Sequence, residues 1–241
     1  MQTNFTRGDG RLYNQLRNLS MERNFLAFAE GSCLVSFGRT KVICTASIED
    51  KVPSFLAGSK QGWITAEYGM LPKSTKERMN RDRGFNGRNQ EIQRLIGRSL
   101  RCVTNLDKLG ERTIYIDCDV IQADGGTRTA SISGAMVALH DALSFLKTNN
   151  LISEWPIKEM AAAVSVGIVD GRVCLDLDYS EDSVADVDFN VVQTESGQYV
   201  ELQGTAEHHT FSNPQLLDLL TVAGEGIQQI VGFQKSVLGI V

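Results

Sequence analysis

"TIYIDCDVIQADGGTRTASISGAMVALHDALSFL", residues 113–146, is the stretch that decides the fold. Residues 113–124 place apolar side chains at every second position, the period that predicts a β-strand. Gly125 and Gly126 end this strand, and the broadly apolar residues that follow predict a buried helix. The stretch therefore predicts a strand, a glycine turn and a core helix in direct succession.

The chain on the N-terminal side of this unit predicts more strands and one more helix. Strand patterns occupy residues 32–38, 40–49 and 62–70, with a tight hairpin at Gly38-Arg39. The polar residues 71–88 lack apolar periodicity, which predicts a mobile loop. Apolar residues at helical spacing follow in residues 89–103, with Asn86 or Asn89 as the N-cap.

The C-terminal part repeats the pattern of strands followed by a helix. Residues 161–179 predict a hairpin with its turn at Asp170-Gly171, residues 185–194 and 199–205 predict two further strands, and a helix starts near Pro214 with Asn213 as its N-cap. We therefore predict an α/β (α+β) fold, a single domain over residues 1–241. Its two similar halves would span about residues 11–147 and about residues 160–238.

Composition narrows the class of protein. The chain has 241 residues, 42% of them hydrophobic, which is enough for a real core, and no continuous apolar run of membrane-spanning length. The N-terminus lacks the apolar core of a secretion signal, and the five cysteines are dispersed, never as C-x-x-C. We expect a cytoplasmic protein without disulfides, a zinc site or a membrane partner.

The net charge of −5 is unevenly distributed along the chain. Residues 73–101 hold nine basic and three acidic side chains, so this segment is strongly positive although the whole protein is acidic. RNA or phosphate would respond to such a local patch, because salt screens charges beyond about 8–10 Å. On α-helical residues 89–103, Arg94, Arg98 and Arg101 share one face, which suits subunit salt bridges slightly better than substrate contact.

Gly125-Gly126 before a helix is also the geometry of an anion site. Glycines let backbone N–H groups approach a phosphate, and the helix N-terminus adds partial positive charge. Arg128 could add a bidentate guanidinium, and Arg88 follows Gly84 and Gly87 before another helix. Each feature has an ordinary alternative, a simple turn for the glycines and a solvated side chain for Arg88.

The segment "LDLDYSEDSVADVDFN", residues 175–190, carries six carboxylates. Asp186, Asp188 and Asn190 alternate with apolar residues and so share one strand face, and Asp182 in the preceding turn can fold towards Asp188. Two such carboxylates suit Mg²⁺, which takes one or two protein carboxylates with waters and phosphate oxygens. The alternative is a solvated sheet face, and that interpretation suits Asp176 and Asp178 best.

Several stretches together resemble bacterial ribonuclease PH over residues 11–230, in the same order and spacing. They are "EGSCLVSFGRTKVICTASIED", "GWITAEYGMLP", "GRNQEIQRLIGRSLR", "IDCDVIQADGGTRTASISGA" and "EDSVADVDFNVV". The resemblance implies a fold whose halves are like the second domain of ribosomal protein S5. It also implies a phosphate-dependent 3′→5′ exoribonuclease (tRNA nucleotidyltransferase) that trims tRNA precursors, releases nucleoside diphosphates and assembles as a homohexamer, a trimer of dimers.

The resemblance also implies roles for individual residues. Arg88, Gly126, Thr127 and Arg128 match phosphate-binding positions, and phosphate is then a co-substrate. Asp182 and Asp188 match paired aspartates that serve acid catalysis and bind Mg²⁺ or Mn²⁺. The basic residues expected to guide RNA are Lys73, Lys76, Arg78, Arg81 and Arg83.

Three departures from the family pattern concern Gly8, where the family has proline, Asn89 in "GRN", and "HHTFSN" at residues 208–213. None removes a phosphate or aspartate position. Two alternatives remain at this point: a non-catalytic RNA-binding subunit of an exosome-like ring, and a polymerase that uses nucleoside diphosphates in the reverse reaction. The first would be expected to lack one of the site residues, whereas the second has the same site.

Overall fold

The computed structural model describes residues 7–80 and 87–240, and two β-sheets dominate it. The first half contains β1 (Leu19–Arg23), β2 (Gly31–Phe37), β3 (Thr40–Glu49), β4 (Trp63–Met70), α1 (Gly87–Cys102), β5 (Thr113–Gln122) and α2 (Thr127–Thr148). The second half contains β6 (Ala161–Val169), β7 (Arg172–Leu175), the short helix α3 (Tyr179–Asp182), β8 (Val187–Thr194), β9 (Tyr199–Ala206) and α4 (Asn213–Leu238).

The two sheets differ in their strand directions. The first has the order β1-β2-β3-β5-β4, with β4 parallel to β5 and the other pairs antiparallel. The second has the order β7-β6-β8-β9 and is antiparallel throughout. The parallel pair is connected through α1, as a crossover between parallel strands requires.

Helix α2 lies between the two sheets and packs against β2, β3 and β6, while α4 packs against β6 and β7. One continuous hydrophobic cluster includes buried residues of both halves. Within the described residues, α2 is the single helix long and apolar enough to cross a membrane by length and composition, but 89% of its apolar window is buried in the protein. The core position of α2 explains its apolar composition.

The predicted hairpin turns are confirmed. Gly38 has a φ of 58°, and Asp170 and Gly171 have φ values of 50° and 71° between the paired residues Val169 and Arg172. Positive φ at both central residues matches the twist of the flanking strands, which is why Asp-Gly is favoured there.

The predicted start of α4 is wrong by one residue. Ser212, rather than Asn213, is the N-cap, and its hydroxyl accepts a bond from the Gln215 backbone N–H. The Gln215 side chain accepts the Ser212 N–H in return at 2.9 Å, which completes a capping box. At α1, the N-cap candidate Asn86 lies outside the described residues, and Asn89 lies within the helix.

Candidate active site

A cavity of about 570 Å³ opens where the turn before α2 meets α3 and β8 of the second half. Residues of both predicted sites line this one cavity. From the predicted anion site these are Arg88, Gly126, Thr127 and Arg128, and from the acidic segment they are Asp182 and Asp188. The fold therefore brings together two groups of residues that lie more than fifty positions apart in the chain.

Backbone conformation requires glycine at both positions before α2, and close packing adds a second requirement at Gly125. Both have positive φ, 77° at Gly125 and 63° at Gly126, a region that side-chain-bearing residues rarely adopt. Gly125 also lies against the second half, where an added Cβ would be 2.5 Å from the Leu177 carbonyl oxygen. This contact seats the N-terminus of α2 beside the segment that leads into α3.

Helix α2 begins at Thr127, so the first backbone N–H groups of its opening turn lie at the cavity. Thr127 is itself held by Tyr68, whose buried hydroxyl donates a 2.9 Å hydrogen bond to the Thr127 Oγ1. Burial raises the pKa of Tyr68, so this hydroxyl remains protonated. Tyr68 was not predicted as a site residue. The alternating pattern of β4 places it among the inward-facing residues, and this was the one indication in the sequence.

Arg88 and Arg128 approach the cavity from different helices, Arg88 from the first turn of α1 and Arg128 from the first turn of α2. Arg128 donates to Gln203 Oε1 at 2.9 Å and to Glu91 Oε1 at 3.2 Å. Glu91 and Gln203 thus orient one edge of the guanidinium. Two arginines beside a helix N-terminus make this wall of the cavity electropositive.

Asp182 and Asp188 form an acidic part of the same cavity lining, called the acidic wall below. Asp182 ends α3, which is fixed by a capping box in which the Asp178 side chain accepts the Ser180 and Glu181 N–H groups. Asp188 is on β8, paired with Gly167 of β6 and Thr205 of β9. The position of each carboxylate is therefore set by regular structure.

Both carboxylates have raised pKa values. Burial, reinforced by the charge of Asp182, raises the pKa of Asp188 to about 6, against the opposing effect of Arg128. Burial also raises the pKa of Asp182, while Arg128 and Arg88 oppose the increase. Burial is thus the larger cause of both shifts, and a neighbouring carboxylate adds to it, Asp182 at Asp188 and Asp178 at Asp182.

Asp188 Oδ1 is buried and has no hydrogen-bond partner within the described part of the chain. A buried carboxylate oxygen without a hydrogen bond lowers the stability of the fold unless a ligand or cation binds it. Among the described residues no three His, Cys, Asp or Glu side chains cluster closely enough to hold a metal. Two carboxylates and an open cavity fit Mg²⁺ or Mn²⁺, which complete their shell with water and phosphate oxygens, better than they fit zinc.

The remaining four carboxylates of residues 175–190 have structural partners. The expectation that Asp176 lies on an open sheet face is wrong: Asp176 is fully buried and forms a bidentate ion pair with Arg17, with bonds of 2.6 and 3.0 Å. Glu181 pairs with Arg7 and Arg11. These three N-terminal arginines were not singled out in the sequence, and their 4- and 6-residue spacing gives no signal of partners at residues 176–181.

Asp178 and Asp186 also depart from the expectations. Asp178 is the N-cap of α3, so its carboxylate has a capping role rather than a place on an open face. Asp186 precedes β8 and makes a 2.9 Å contact with His209 Nδ1 on the surface. Of the three residues expected on one strand face, Asp188 and Asn190 line the cavity and Asp186 does not.

The basic residues expected to guide RNA differ in their position relative to the cavity. Lys76 and Arg78 line the cavity. Lys73 lies outside the lining, and its ammonium donates to the Lys76 backbone carbonyl. Arg81 and Arg83 lie outside the described residues.

Two of the three arginines on the outer face of α1 have partners within the chain. Arg98 pairs with Glu201 at 2.8 Å, and Arg101 lies over the Trp63 ring, 4.4 Å from its centroid. Arg101 also donates to the Ile64 carbonyl oxygen at 2.7 Å. These intrachain contacts orient Arg98 and Arg101 on the face of α1.

Comparison with known proteins now decides the family. Residues 15–143 match the description "3′ exoribonuclease family, domain 1", and residues 159–226 match "3′ exoribonuclease family, domain 2". The chain belongs to the 3′ exoribonuclease family. The resemblance drawn from the sequence motifs is confirmed, as is the α/β fold class.

Individual members of the 3′ exoribonuclease family match over almost the whole chain. Ribonuclease PH of Moorella thermoacetica is 56% identical over 236 residues, 97% of this chain and 94% of that protein. Ribonuclease PH of Corynebacterium kroppenstedtii is 54% identical over 239 residues, 98% of this chain and 94% of that protein.

Solved structures share the fold at lower identity. Rice Rrp46 superposes with a TM-score of 0.78 at 21% identity, covering 96% of this chain and 100% of the rice chain. A chain of the Archaeoglobus fulgidus exosome with RNA bound to the active site has a TM-score of 0.80 at 21% identity, covering 93% of this chain and 91% of the exosome chain.

Proposed function

We propose that this chain is a phosphate-dependent 3′→5′ exoribonuclease, a tRNA nucleotidyltransferase that trims tRNA precursors and releases nucleoside diphosphates. The observation that carries the proposal is the cavity whose lining includes both an electropositive helix N-terminus and two partly buried carboxylates. Such a cavity suits two phosphates at once, an attacking inorganic phosphate on the basic wall and a scissile phosphodiester between the walls. Membership of the family supports the same reaction.

Inorganic phosphate would be held by the first residues of α2. Gly126 and Thr127 line the cavity at a helix N-terminus, where the first backbone N–H groups have no intrahelical partner and an anion is favoured. Arg88 and Arg128 would clamp the anion from two sides by charge-assisted hydrogen bonds. These four residues orient one phosphate oxygen towards the last phosphodiester of the RNA.

The reaction is an in-line displacement at phosphorus. A phosphate oxygen forms a new P–O bond to the terminal nucleotide, and the bond from that phosphorus to the 3′ oxygen of the shortened RNA breaks. Phosphoryl transfer needs positioning and charge neutralisation more than covalent help from the protein. The arginines would supply both for the attacking phosphate.

Asp182 and Asp188 would hold a divalent cation, Mg²⁺ or Mn²⁺, whose charge would neutralise the scissile phosphate. Asp188 Oδ1, which has no hydrogen-bond partner among the described residues, supports this assignment. One carboxyl of the pair would also protonate the leaving 3′ oxygen, and the raised pKa of both carboxyls in the metal-free protein, caused mainly by burial, supports this role. Since the two carboxyls interact, the proton belongs to the pair.

The RNA strand would reach the cavity along the basic segment. Lys76 and Arg78 are at the cavity, and Lys73, Arg81 and Arg83 belong to the same stretch of chain. Cations on such a segment attract the phosphate backbone of any RNA, so they would set affinity and salt dependence rather than sequence choice.

We further propose one domain over residues 1–241, a cytoplasmic location and assembly into a homohexamer, a trimer of dimers. The continuous core shared by both halves supports the single domain. Light scattering behind a sizing column tests the assembly, because six copies of the 26.5 kDa chain differ clearly from two or three.

The function is tested with an RNA that carries a short single-stranded 3′ tail, in the presence of Mg²⁺, with and without inorganic phosphate. Nucleoside diphosphates that appear only with phosphate support the proposal. Monophosphates released without phosphate would show hydrolysis instead. Binding of RNA without any product would favour a non-catalytic ring subunit.

A further inference from the structure

The turn before α2 is held from outside by a buried arginine that belongs to neither the basic nor the acidic wall. Arg17 donates to the Asp124 carbonyl oxygen at 2.6 Å and lies 3.4 Å from the Gly125 carbonyl oxygen. An added Cβ on Gly126 would be 3.0 Å from Arg17 Nη2, so the guanidinium is in contact with the turn itself. Thr40 assists, since its hydroxyl donates to the Gly125 carbonyl at 2.6 Å.

The other edge of the same guanidinium holds the second half. Arg17 Nη2 and Nε donate to the two carboxylate oxygens of Asp176 at 2.6 and 3.0 Å, and the Arg17 backbone N–H donates to Asp176 at 2.9 Å. Both side chains are almost completely buried, with 5% and 0% exposure. A planar guanidinium is the one basic side chain that can serve two partners in such fixed directions.

Asp176 in turn fixes the start of the acidic wall. Its φ of 53° is in the left-handed region, and its backbone N–H donates to the Ser165 carbonyl at 2.7 Å. The next residue donates its N–H to the Ser165 hydroxyl at 3.1 Å, and Asp178 then caps α3, which ends in Asp182. Only one short segment therefore separates Asp176 from the carboxylate at the cavity.

We infer that Arg17 and Asp176 are positioning residues that set the distance between the phosphate-holding turn and the aspartate wall. Neither residue lines the cavity, so they act through Gly125-Gly126 on one side and through α3 on the other. The inference rests on the proposed function, because it assigns the turn to phosphate. The Arg17–Asp176 pair would thereby keep the turn of the first half and the aspartates of the second half at a fixed separation.

The test compares Arg17→Lys with Arg23→Lys in the otherwise unchanged protein. Lysine keeps the charge opposite Asp176 but cannot span Asp176 and the turn carbonyls together. Arg23 is the matched control, because it also forms a two-bond ion pair, with Asp141 at 2.6 and 2.9 Å, and bonds a carbonyl of α4 away from the cavity. Asp176→Asn is the second variant, in case Arg17→Lys fails to fold.

Two readouts are used: the KM for phosphate in phosphorolysis, and the increase in Tm that inorganic phosphate causes in the absence of RNA. For Arg17→Lys or Asp176→Asn we expect the phosphate KM to rise about 10- to 100-fold and the phosphate-induced Tm increase to disappear, with RNA affinity unchanged. Arg23→Lys should keep both values even if its Tm in buffer falls.

The inference is overturned if Arg17→Lys and Asp176→Asn fold and keep the wild-type phosphate KM and Tm response. It is also overturned if Arg23→Lys loses the phosphate response equally, since the effect would then reflect general destabilisation. If the wild-type protein itself shows neither a phosphate-induced Tm increase nor nucleoside diphosphates, the proposed function fails first, and the positioning role fails with it.

Discussion

Gly125 packs directly against the Leu177 carbonyl oxygen, which would lie 2.5 Å from a Cβ at position 125. Gly125 belongs to the turn before α2, and Leu177 to the segment before α3. This contact joins the turn of the basic wall to the segment that leads into the acidic wall. A change of one methyl group at this point should therefore affect stability and activity at once.

Gly125→Ala should lower both the stability of the protein and its turnover. The new Cβ requires the backbone of Leu177 or Asp178 to move, and alanine is strained at a φ of 77°. We expect a loss of stability of about 2–4 kcal/mol and a drop in turnover of at least about tenfold. Urea unfolding and phosphorolysis assays would measure the two effects.

Gly197→Ala is the matched control for that substitution. Gly197 has a similar φ of 81°, but an added Cβ would meet nothing within 4 Å. The control should show only the cost of the backbone conformation, about 1 kcal/mol, with normal turnover. Equal effects of the two substitutions would mean that the contact with Leu177 has no special role.

Arg128→Ala should reduce phosphorolysis by about 100-fold or more, because a guanidinium beside the transferring phosphate would be lost. The reduction should appear in kcat over the phosphate KM, whereas RNA binding should change little. Arg98→Ala is the control, since Arg98 is a largely exposed arginine paired with Glu201 outside the cavity. Near-normal turnover of Arg128→Ala would contradict the phosphate assignment.

Asp188→Asn should stabilise the protein at alkaline pH while it abolishes activity. The native pKa of Asp188 is raised to about 6, above the unfolded value near 4, so the native state holds this proton more tightly. Its charge therefore destabilises the fold above pH ~6, and the penalty disappears as the pH falls towards ~4. In EDTA we expect the variant to be about 2 kcal/mol more stable than wild type at pH ~8, and equal to it at pH ~4.

Urea unfolding at several pH values measures this difference. Asp186→Asn is the control: its carboxylate contacts His209 on the surface, and its removal should give no comparable gain. A lower stability of Asp188→Asn than of wild type at alkaline pH would show that the buried charge is compensated within the native protein.

Removal of divalent cations should stop turnover without removing the phosphate site. EDTA is expected to abolish phosphorolysis, and Mg²⁺ to restore it, because Asp182 and Asp188 would hold the ion opposite the basic wall. The phosphate-induced increase in Tm should persist in EDTA, since Arg88, Arg128 and the α2 N-terminus remain. Full activity in EDTA would exclude the metal assignment, as would an equal Mg²⁺-induced Tm change in a variant with asparagine at both positions.

The sequence predicted those features that depend on local pattern. Local patterns predicted the strands of the described residues except β1, and Gly125-Gly126 before an apolar run indicated the helix N-terminus at the cavity. The short helix α3 was expected only as a turn. Arg88, Arg128, Asp182 and Asp188 were predicted as one site because the motifs resembled a family, whereas spacing alone left each with an ordinary alternative. The cavity that contains all four supports that prediction.

Features that depend on contacts across the chain could not be predicted in this way. Asp176 has the alternating pattern of an exposed strand residue, yet Arg17, 159 positions earlier, buries and neutralises it. Tyr68 reaches Thr127 across 59 positions in the same manner. Arg17 and Asp176 meet where the two halves pack together, and Tyr68 and Thr127 meet where β4 and α2 of the first half approach each other. Neither local composition nor periodicity carries that information.

The most direct test of the central claim follows the phosphorus atom of inorganic phosphate. Radiolabelled phosphate, Mg²⁺ and an unlabelled RNA with a single-stranded 3′ tail are incubated with the protein, and the released nucleotides are separated. We expect the label in nucleoside diphosphates, confined to their terminal phosphate, and we expect Arg128→Ala to abolish this labelling. Unlabelled monophosphates, or diphosphates without label, would show that inorganic phosphate is not the attacking group.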